Sequence, residues 1–199
     1  MKTLLLTGYD NKMKDLGDLT SPLMLSYASQ HEMDFRCVRH YPKSKPAYWQ
    51  KMVDILIAMD EGYKRIIWMD ADIVITNANY VPPMSSGFHA SLDWGADATE
   101  EHCFSMCCFV ACQDSRPLFQ WVVDHEEEYI SGDFPEQTPM RELYKTNKHI
   151  MTTHPRRVFN SVPIQIHETV QEPWEIGDWV CHLTMIPFPD RVKLFYKIK

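Results

Sequence analysis

Three short strand-like runs, separated by two segments of helical spacing, constrain this chain more than any other feature. The runs are Leu4–Leu6, Phe35–Val38 and Ile66–Met69. Between the first two, Ser21-Pro22 offers an N-cap and a first-turn proline for a helix to about His31, with Leu23, Met24, Tyr27 and Ala28 on one face. A second helix is expected from about Ala47 to Glu61, where Met52, Ile55, Leu56 and Met59 form a stripe and Gly62 closes the last turn. Strand, helix, strand, helix, strand is the pattern of a parallel sheet with helices on its faces. The prediction is an α/β, Rossmann-like single domain over residues 1–199, built on a mostly parallel mixed sheet with helices on both faces. Ligands of such sheets sit outside the carboxyl ends of the strands. The first strand is expected to end there in the glycine turn Thr7-Gly8-Tyr9-Asp10.

The third run carries the chemistry. Arg65-Ile66-Ile67-Trp68-Met69 leads into Asp70-Ala71-Asp72, and Ile73-Val74-Ile75 follows. Strand residues i and i+2 share a face, so the two carboxylates are expected to converge at a strand end. Adjacent like charges are costly without a cation between them. An Mg²⁺ or Mn²⁺ ion with oxygen ligands, carrying a phosphate, answers that need. An exposed strand-to-turn junction is the plain alternative, since Asp is a good turn residue.

The net charge of −7 argues against nucleic acid as the main partner. No apolar run approaches the roughly 18 residues of a membrane span, and the short Leu4–Leu6 run is too brief for a signal peptide. The six cysteines form no CxxC pair, which predicts reduced, mostly buried thiols and a cytoplasmic protein. Four of them crowd into Cys103–Cys112, read as a buried strand in preference to a structural zinc site.

Downstream, Phe88–Trp94 alternates like a mixed-sheet strand and leads to Asp93. A helix is expected after Asp114-Ser115, and a loop over Ser131–Pro139 carries Glu136 and Gln137 to a short helix over Met140–Lys145. Strands are expected at Ile150–Thr153 and Val158–Phe159. Lys45 and Lys51 flank the start of the second helix, where each can reach a phosphate or simply remain solvated. His182 ends a short apolar run after Gly177-Asp178, and a lone histidine in that position is more often structural than a ligand.

With these residues in hand, the chain resembles GT-A-fold glycosyltransferases with a DxD motif, in particular the retaining α-galactosyl/xylosyl/mannosyltransferase family and more distantly glycogenin-like enzymes. The resemblance rests on the first-strand Thr-Gly turn, on Ile66-Ile67-Trp68-Met69-Asp70-Ala71-Asp72-Ile73-Val74-Ile75-Thr76-Asn77, on Glu136-Gln137, and on Trp174 through Gly177-Asp178 to His182. It implies a Mn²⁺ or Mg²⁺ ion held by Asp70, Asp72 and His182, and a UDP-sugar whose diphosphate bridges to that ion. It further implies a donor site made by Thr7, Gly8, Tyr9, Lys45, Lys51, Asp70 and Ala71, with Glu136, Gln137 and Asp93 near the transferred sugar and a glycan or other hydroxyl as acceptor. Two positions depart from the family's pattern. Ser105-Met106-Cys107 stands where it has Asn-x-Gly, and Arg191 is the candidate replacement for its lysine after the histidine.

Two other readings of the Asp pair remain open at this stage. In a haloacid-dehalogenase-type phosphatase Asp70 would be the nucleophile and Asp72 the general acid. A non-catalytic nucleotide-binding domain would use the same strand edge without turnover.

Overall fold

The computed structural model describes residues 2–39, 45–83, 85–92, 104–132, 134–163 and 173–199. Strand β1 (Thr3–Tyr9) is followed by helix α1 (Lys14–Gln30), β2 (Asp34–Arg39), α2 (Ala47–Asp60), β3 (Arg65–Met69) and β4 (Ile73–Ile75). Then come β5 (Phe88–Leu92), β6 (Phe104–Cys112), α3 (Arg116–Asp124), α4 (Glu126–Tyr129), α5 (Gln137–Asn147), β7 (Met151–His154), α6 (Arg156–Phe159), β8 (Val180–His182) and α7 (Phe188–Ile198).

Six of these strands form one sheet in the order β2-β1-β3-β6-β5-β7. Pairs β1–β2, β1–β3 and β5–β7 are parallel, and β6 runs antiparallel to both its neighbours. Only β6 therefore opposes the common direction, and the expected mostly parallel mixed sheet is borne out.

Register explains how the apolar runs become a core. Leu4, Leu5 and Leu6 stand opposite Ile66, Ile67 and Trp68. The alternation of strand side chains then sends Leu4, Leu6, Ile66 and Trp68 to one face, where they meet Trp49, Met52, Ile55 and Met59 of α2 and residues of α3 and α5. Leu5, Ile67 and Met69 go to the other face, against Met24, Tyr27 and Ala28 of α1 and Phe159 of α6. Helices thus cover both faces. Among the described residues no helix is long and apolar enough to cross a membrane.

Several local expectations are corrected. Gly8 is no turn residue, because β1 continues through it to Tyr9. Helix α1 starts well before Ser21-Pro22, with Pro22 inside it. The reason is Asp10, whose carboxylate accepts the backbone N–H groups of Lys12 and Met13 and starts a short 3-10 turn that runs into the helix. Helix α5 begins at Gln137 and not at Met140, with Pro139 accommodated in its first turn. Val158 and Phe159 belong to a helical turn after Pro155 and not to a strand. The strand over Phe88–Leu92 is present, whereas Asp93 and Cys103 lie outside the described residues.

Candidate active site

The site is assembled where the sheet changes winding direction. β2 lies on one side of β1 and β3 on the other, so the connections leave β1 in opposite directions and a crevice opens above its carboxyl end. A cleft of about 320 Å³ occupies this place. Its walls come from Gly8, Tyr9, Asp10, Lys12 and Met13 at and after the end of β1, from Ala47, Tyr48 and Lys51 of α2, from Trp68, Asp70, Ala71 and Asp72 at and after the end of β3, and from Glu136 and Arg191.

The aspartates do not share a strand face as expected. Asp70, Ala71 and Asp72 form a tight turn in which the carbonyl of Asp70 accepts the N–H of Ile73 at 3.0 Å. Three elements pin this turn. The carbonyl of Cys107 in β6 accepts the Asp70 N–H at 2.7 Å, the Thr20 hydroxyl of α1 donates to the Ala71 carbonyl at 2.8 Å, and the Leu183 N–H donates to the Asp72 carbonyl at 2.9 Å. Beyond the turn the chain leaves the main sheet, and β4 pairs antiparallel with β8, setting Ile73 opposite His182. That pairing brings a histidine 110 residues downstream of Asp72 to its side (182 − 72). The imidazole Nε2 lies 3.3 Å from Asp72 Oδ1, and Arg191 of α7 donates to Asp72 Oδ2 at 2.8 Å.

Asp70 is engaged differently. Its Oδ1 accepts from the Trp68 indole at 2.6 Å and from Lys51 at 3.3 Å. Lys51 is 2 % exposed, donates to the Met106 carbonyl at 2.9 Å, and also pairs with Glu136 at 3.3 Å. It is therefore not solvated, and it holds two carboxylates of the site together. Burial alone would lower its pKa, but Asp70 and Glu136 outweigh that and hold the ammonium charged.

The remaining pKa shifts report the same crowding. Burial, reinforced by the charge of Asp72, raises the pKa of Asp70 against the opposing effect of Lys51. Burial acts on Asp72 in the same sense, yet His182 and Arg191 hold its carboxyl below the ordinary value. For His182, burial disfavours the imidazolium, and the Cys107 sulfur and Asp72 carboxylate reverse that and raise its pKa well above the usual value.

These residues fit a divalent cation. Two cis ligands at about 2.1 Å from an octahedral ion stand roughly 3 Å apart, close to the separation of Asp72 Oδ1 and His182 Nε2. Carboxylate oxygens suit Mn²⁺ and Mg²⁺, and the imidazole, a ligand of transition metals, favours Mn²⁺ of the two. Asp70 is the third candidate donor. Among the described residues no three His, Cys, Asp or Glu side chains stand close enough together to share one ion as they are placed.

The other expected site residues divide. Gly8, Tyr9, Lys51, Asp70, Ala71, Asp72, Glu136 and Arg191 line the cleft. Thr7 is buried in β1, with no hydrogen-bond partner for its hydroxyl among the described residues. Lys45 pairs with Glu126 of α4 and does not line the cleft. Gln137 is the first residue of α5, beside Glu136, and His182 stands behind Asp72. Sequence reasoning missed Trp68 and the Met106 carbonyl as the groups that set Asp70 and Lys51. It also missed Asn160, whose carboxamide Oδ1 lies 2.7 Å from His182 Nδ1. No motif in the sequence marks these three.

No family model matches the chain, and no curated protein does. Solved structures do. A glycosyltransferase involved in the glycosylation of the major capsid of PBCV-1 superposes with a TM-score of 0.75 at 15% identity, covering 99% of this chain and 100% of its own. The glycosyltransferase GlyE of Streptococcus pneumoniae TIGR4 gives 0.63 at 10% identity, over 100% of this chain and 60% of GlyE. The galactosyltransferase LgtC, solved in complex with donor and acceptor sugar analogs, gives 0.61 at 10% identity, over 98% and 94%. At such identities the likeness establishes the fold, and the expected GT-A architecture is borne out.

Proposed function

We propose that this protein is a metal-dependent glycosyltransferase that moves a sugar from a UDP-sugar to an acceptor hydroxyl, with retention of configuration at the anomeric carbon. The observation that carries this reading is the meeting of Asp72 with His182 at 3.3 Å, above the crevice beside β1, in a fold shared with three glycosyltransferases. Neither a phosphatase nor a purely nucleotide-binding domain calls for a distant histidine to be drawn to the second aspartate.

Asp72 and His182 would hold one Mn²⁺ or Mg²⁺ ion, with Asp70 as the third donor. When bound, that ion supplies Lewis-acid stabilisation for a departing diphosphate. Arg191, already at Asp72, brings a planar set of donors suited to phosphate oxygens. The wall from Gly8 to Met13 takes the nucleoside. Glu136 and Gln137, at the start of α5, stand on the sugar side, with Asp93 as a further sugar contact. Lys51 pairs with both Glu136 and Asp70 and holds them in place, so these groups are oriented before the donor arrives. The acceptor is a glycan or another hydroxyl compound. A cytoplasmic setting belongs to the same reading, supported by the free thiols of Cys107, Cys108, Cys112 and Cys181.

The test is a thermal-shift screen of UDP-, GDP- and TDP-sugars with and without Mn²⁺, followed by turnover of the donor that stabilises. Stabilisation by a UDP-sugar only with Mn²⁺ present is the expected result. Asp72→Ala and His182→Ala are each expected to lower turnover by about 100-fold or more, beyond the 10–100-fold typical of second-layer partners. Full metal-dependent turnover in either variant would sink the site assignment.

A further inference from the structure

His182 is held from behind as well as from the cleft. The loop after α6 reaches β8, where the Ser161 carbonyl accepts the His182 backbone N–H at 2.7 Å. One residue earlier, Asn160 is 1% exposed and places Oδ1 2.7 Å from His182 Nδ1. The Cys107 thiol also donates to this oxygen at 3.4 Å, while Asn160 Nδ2 is buried with no hydrogen-bond partner among the described residues. A carbonyl oxygen can only accept, and 2.7 Å is the length of a strong N–H···O bond. Nδ1 is therefore a donor to Asn160, and Nε2 is the nitrogen aimed at Asp72 Oδ1.

Nε2 and Asp72 Oδ1 stand 3.3 Å apart, a spacing that a donor and its acceptor share with two ligands of one divalent cation. We propose that Asn160 is a positioning residue of the site: by accepting the Nδ1 proton it fixes which imidazole nitrogen faces Asp72 and so aims Nε2 at the place of a divalent cation shared with Asp72. This rests on the metal-dependent reading above and adds to it a residue that touches neither donor nor ion.

The frame around Asn160 is built to hold it still. Arg157, in α6, bonds both carboxylate oxygens of Asp178 at 2.8 to 3.2 Å, and the Ser161 hydroxyl donates to the same carboxylate at 2.9 Å. The segment that carries Asn160 is thereby fastened to the segment that delivers β8. Orienting partners of this kind typically contribute 10–100-fold to metal affinity.

Binding of Mn²⁺ alone, followed by calorimetry and by the electron-spin signal of the free ion, tests the idea on the intact chain. Asn160→Leu keeps the side-chain size and removes the acceptor, and is expected to weaken Mn²⁺ binding about 10–100-fold. Asn160→Asp keeps an acceptor and is expected to bind at least as tightly as wild type. Asp72→Asn serves as the control for the ion's location. Loss of binding in Asp72→Asn with wild-type affinity in Asn160→Leu would overturn the role of Asn160 and leave the metal reading standing. Binding indifferent to Asp72→Asn, or absent from wild type, would overturn the metal reading and this inference with it. Should Asn160→Leu fail to fold, the ¹⁵N resonances of His182 in wild type with diamagnetic Mg²⁺ decide the matter. A protonated Nδ1 and unprotonated Nε2 support the assignment, and the reverse pattern overturns it.

Discussion

At the scale of single residues, the site is governed by how buried charges are matched. Lys51 sits between Asp70 and Glu136, and an apolar residue in its place would leave both carboxylates without their cation. Breaking a buried pair by removing one partner costs about 3–5 kcal/mol, because the other charge remains desolvated. Lys51→Met is therefore expected to lower the free energy of unfolding by that order in denaturant titrations. The double variant Lys51→Met/Glu136→Leu should recover part of it. An equal loss in both would mean that the lysine stem, and not its charge, carries the stability. A second cluster lies at the rim, where Asp18 accepts from Arg39 at 2.6 Å and from the Tyr9 hydroxyl at 2.7 Å and also pairs with Lys14. Lys14, then Arg39 and Tyr9, hold the Asp18 carboxyl well below the usual carboxylate range. A carboxyl depressed on folding stabilises the protein above its unfolded pKa of about 3.9, and that contribution disappears as pH falls through the folded value. Asp18→Asn should thus melt below wild type at neutral pH, with the gap narrowing progressively below about pH 4. Because the pair is exposed, added salt should narrow it at neutral pH as well.

At the scale of elements, close approach fixes β1 against α1. A Cβ on Gly17 would stand 2.5 Å from Cζ of the Tyr9 ring, and that ring cannot step aside. It is buried, bonded to Asp18, and covered by the Arg39 guanidinium 3.9 Å from its centroid. Gly17→Ala should cost about 1–3 kcal/mol through overpacking, even though alanine is the better helix former. A melting temperature at or above wild type would refute this. The same elements show what the sequence made legible. Runs such as Leu4–Leu6 and Ile66–Met69 were readable as buried strands because burial on both faces demands unbroken apolar character, and Gly62 marked the end of α2 by its positive φ. The start of α1 was not readable from Ser21-Pro22, because a cap that forms at Asp10 overrides a later, weaker signal. Asp70 and Asp72 were identifiable as a pair, but not their different partners, since those of Asp72 depend on the β4–β8 pairing. That pairing joins segments a hundred residues apart, and no local period encodes it. Asn160 was invisible for the same reason, since its meaning comes only from the histidine it faces.

At the scale of the whole molecule, the Asp70–Asp72 turn joins two packed units. Asp70 and Asp72 follow the carboxyl end of β3, an interior strand of the six-stranded sheet. His182 and Arg191 belong to a C-terminal unit in which Val74, Cys181, Leu183 and Phe195 close a small core of their own with Leu16. Across that junction Asp72 pairs with His182 and Arg191, and its carbonyl accepts the Leu183 N–H. A ligand that engages Asp72, His182 and Arg191 together binds only when both units are docked, so it should stabilise the docked state by RT ln(1 + [L]/Kd). At a hundred times Kd this is about 2.7 kcal/mol, and for a chain of this size each kcal/mol moves the melting temperature by roughly 2–4 °C. Mn²⁺ with UDP is therefore expected to raise the melting temperature by roughly 5–10 °C in wild type and by almost nothing in Asp72→Asn. Hydrogen exchange gives the location. Amide protection should rise with ligand at Val180–His182, in the two-stranded sheet that carries the histidine to the turn, more than in β1 and β3, which are interior strands of the six-stranded sheet. A shift of equal size in Asp72→Asn would place the ligand elsewhere and separate its binding from the docking of the two units.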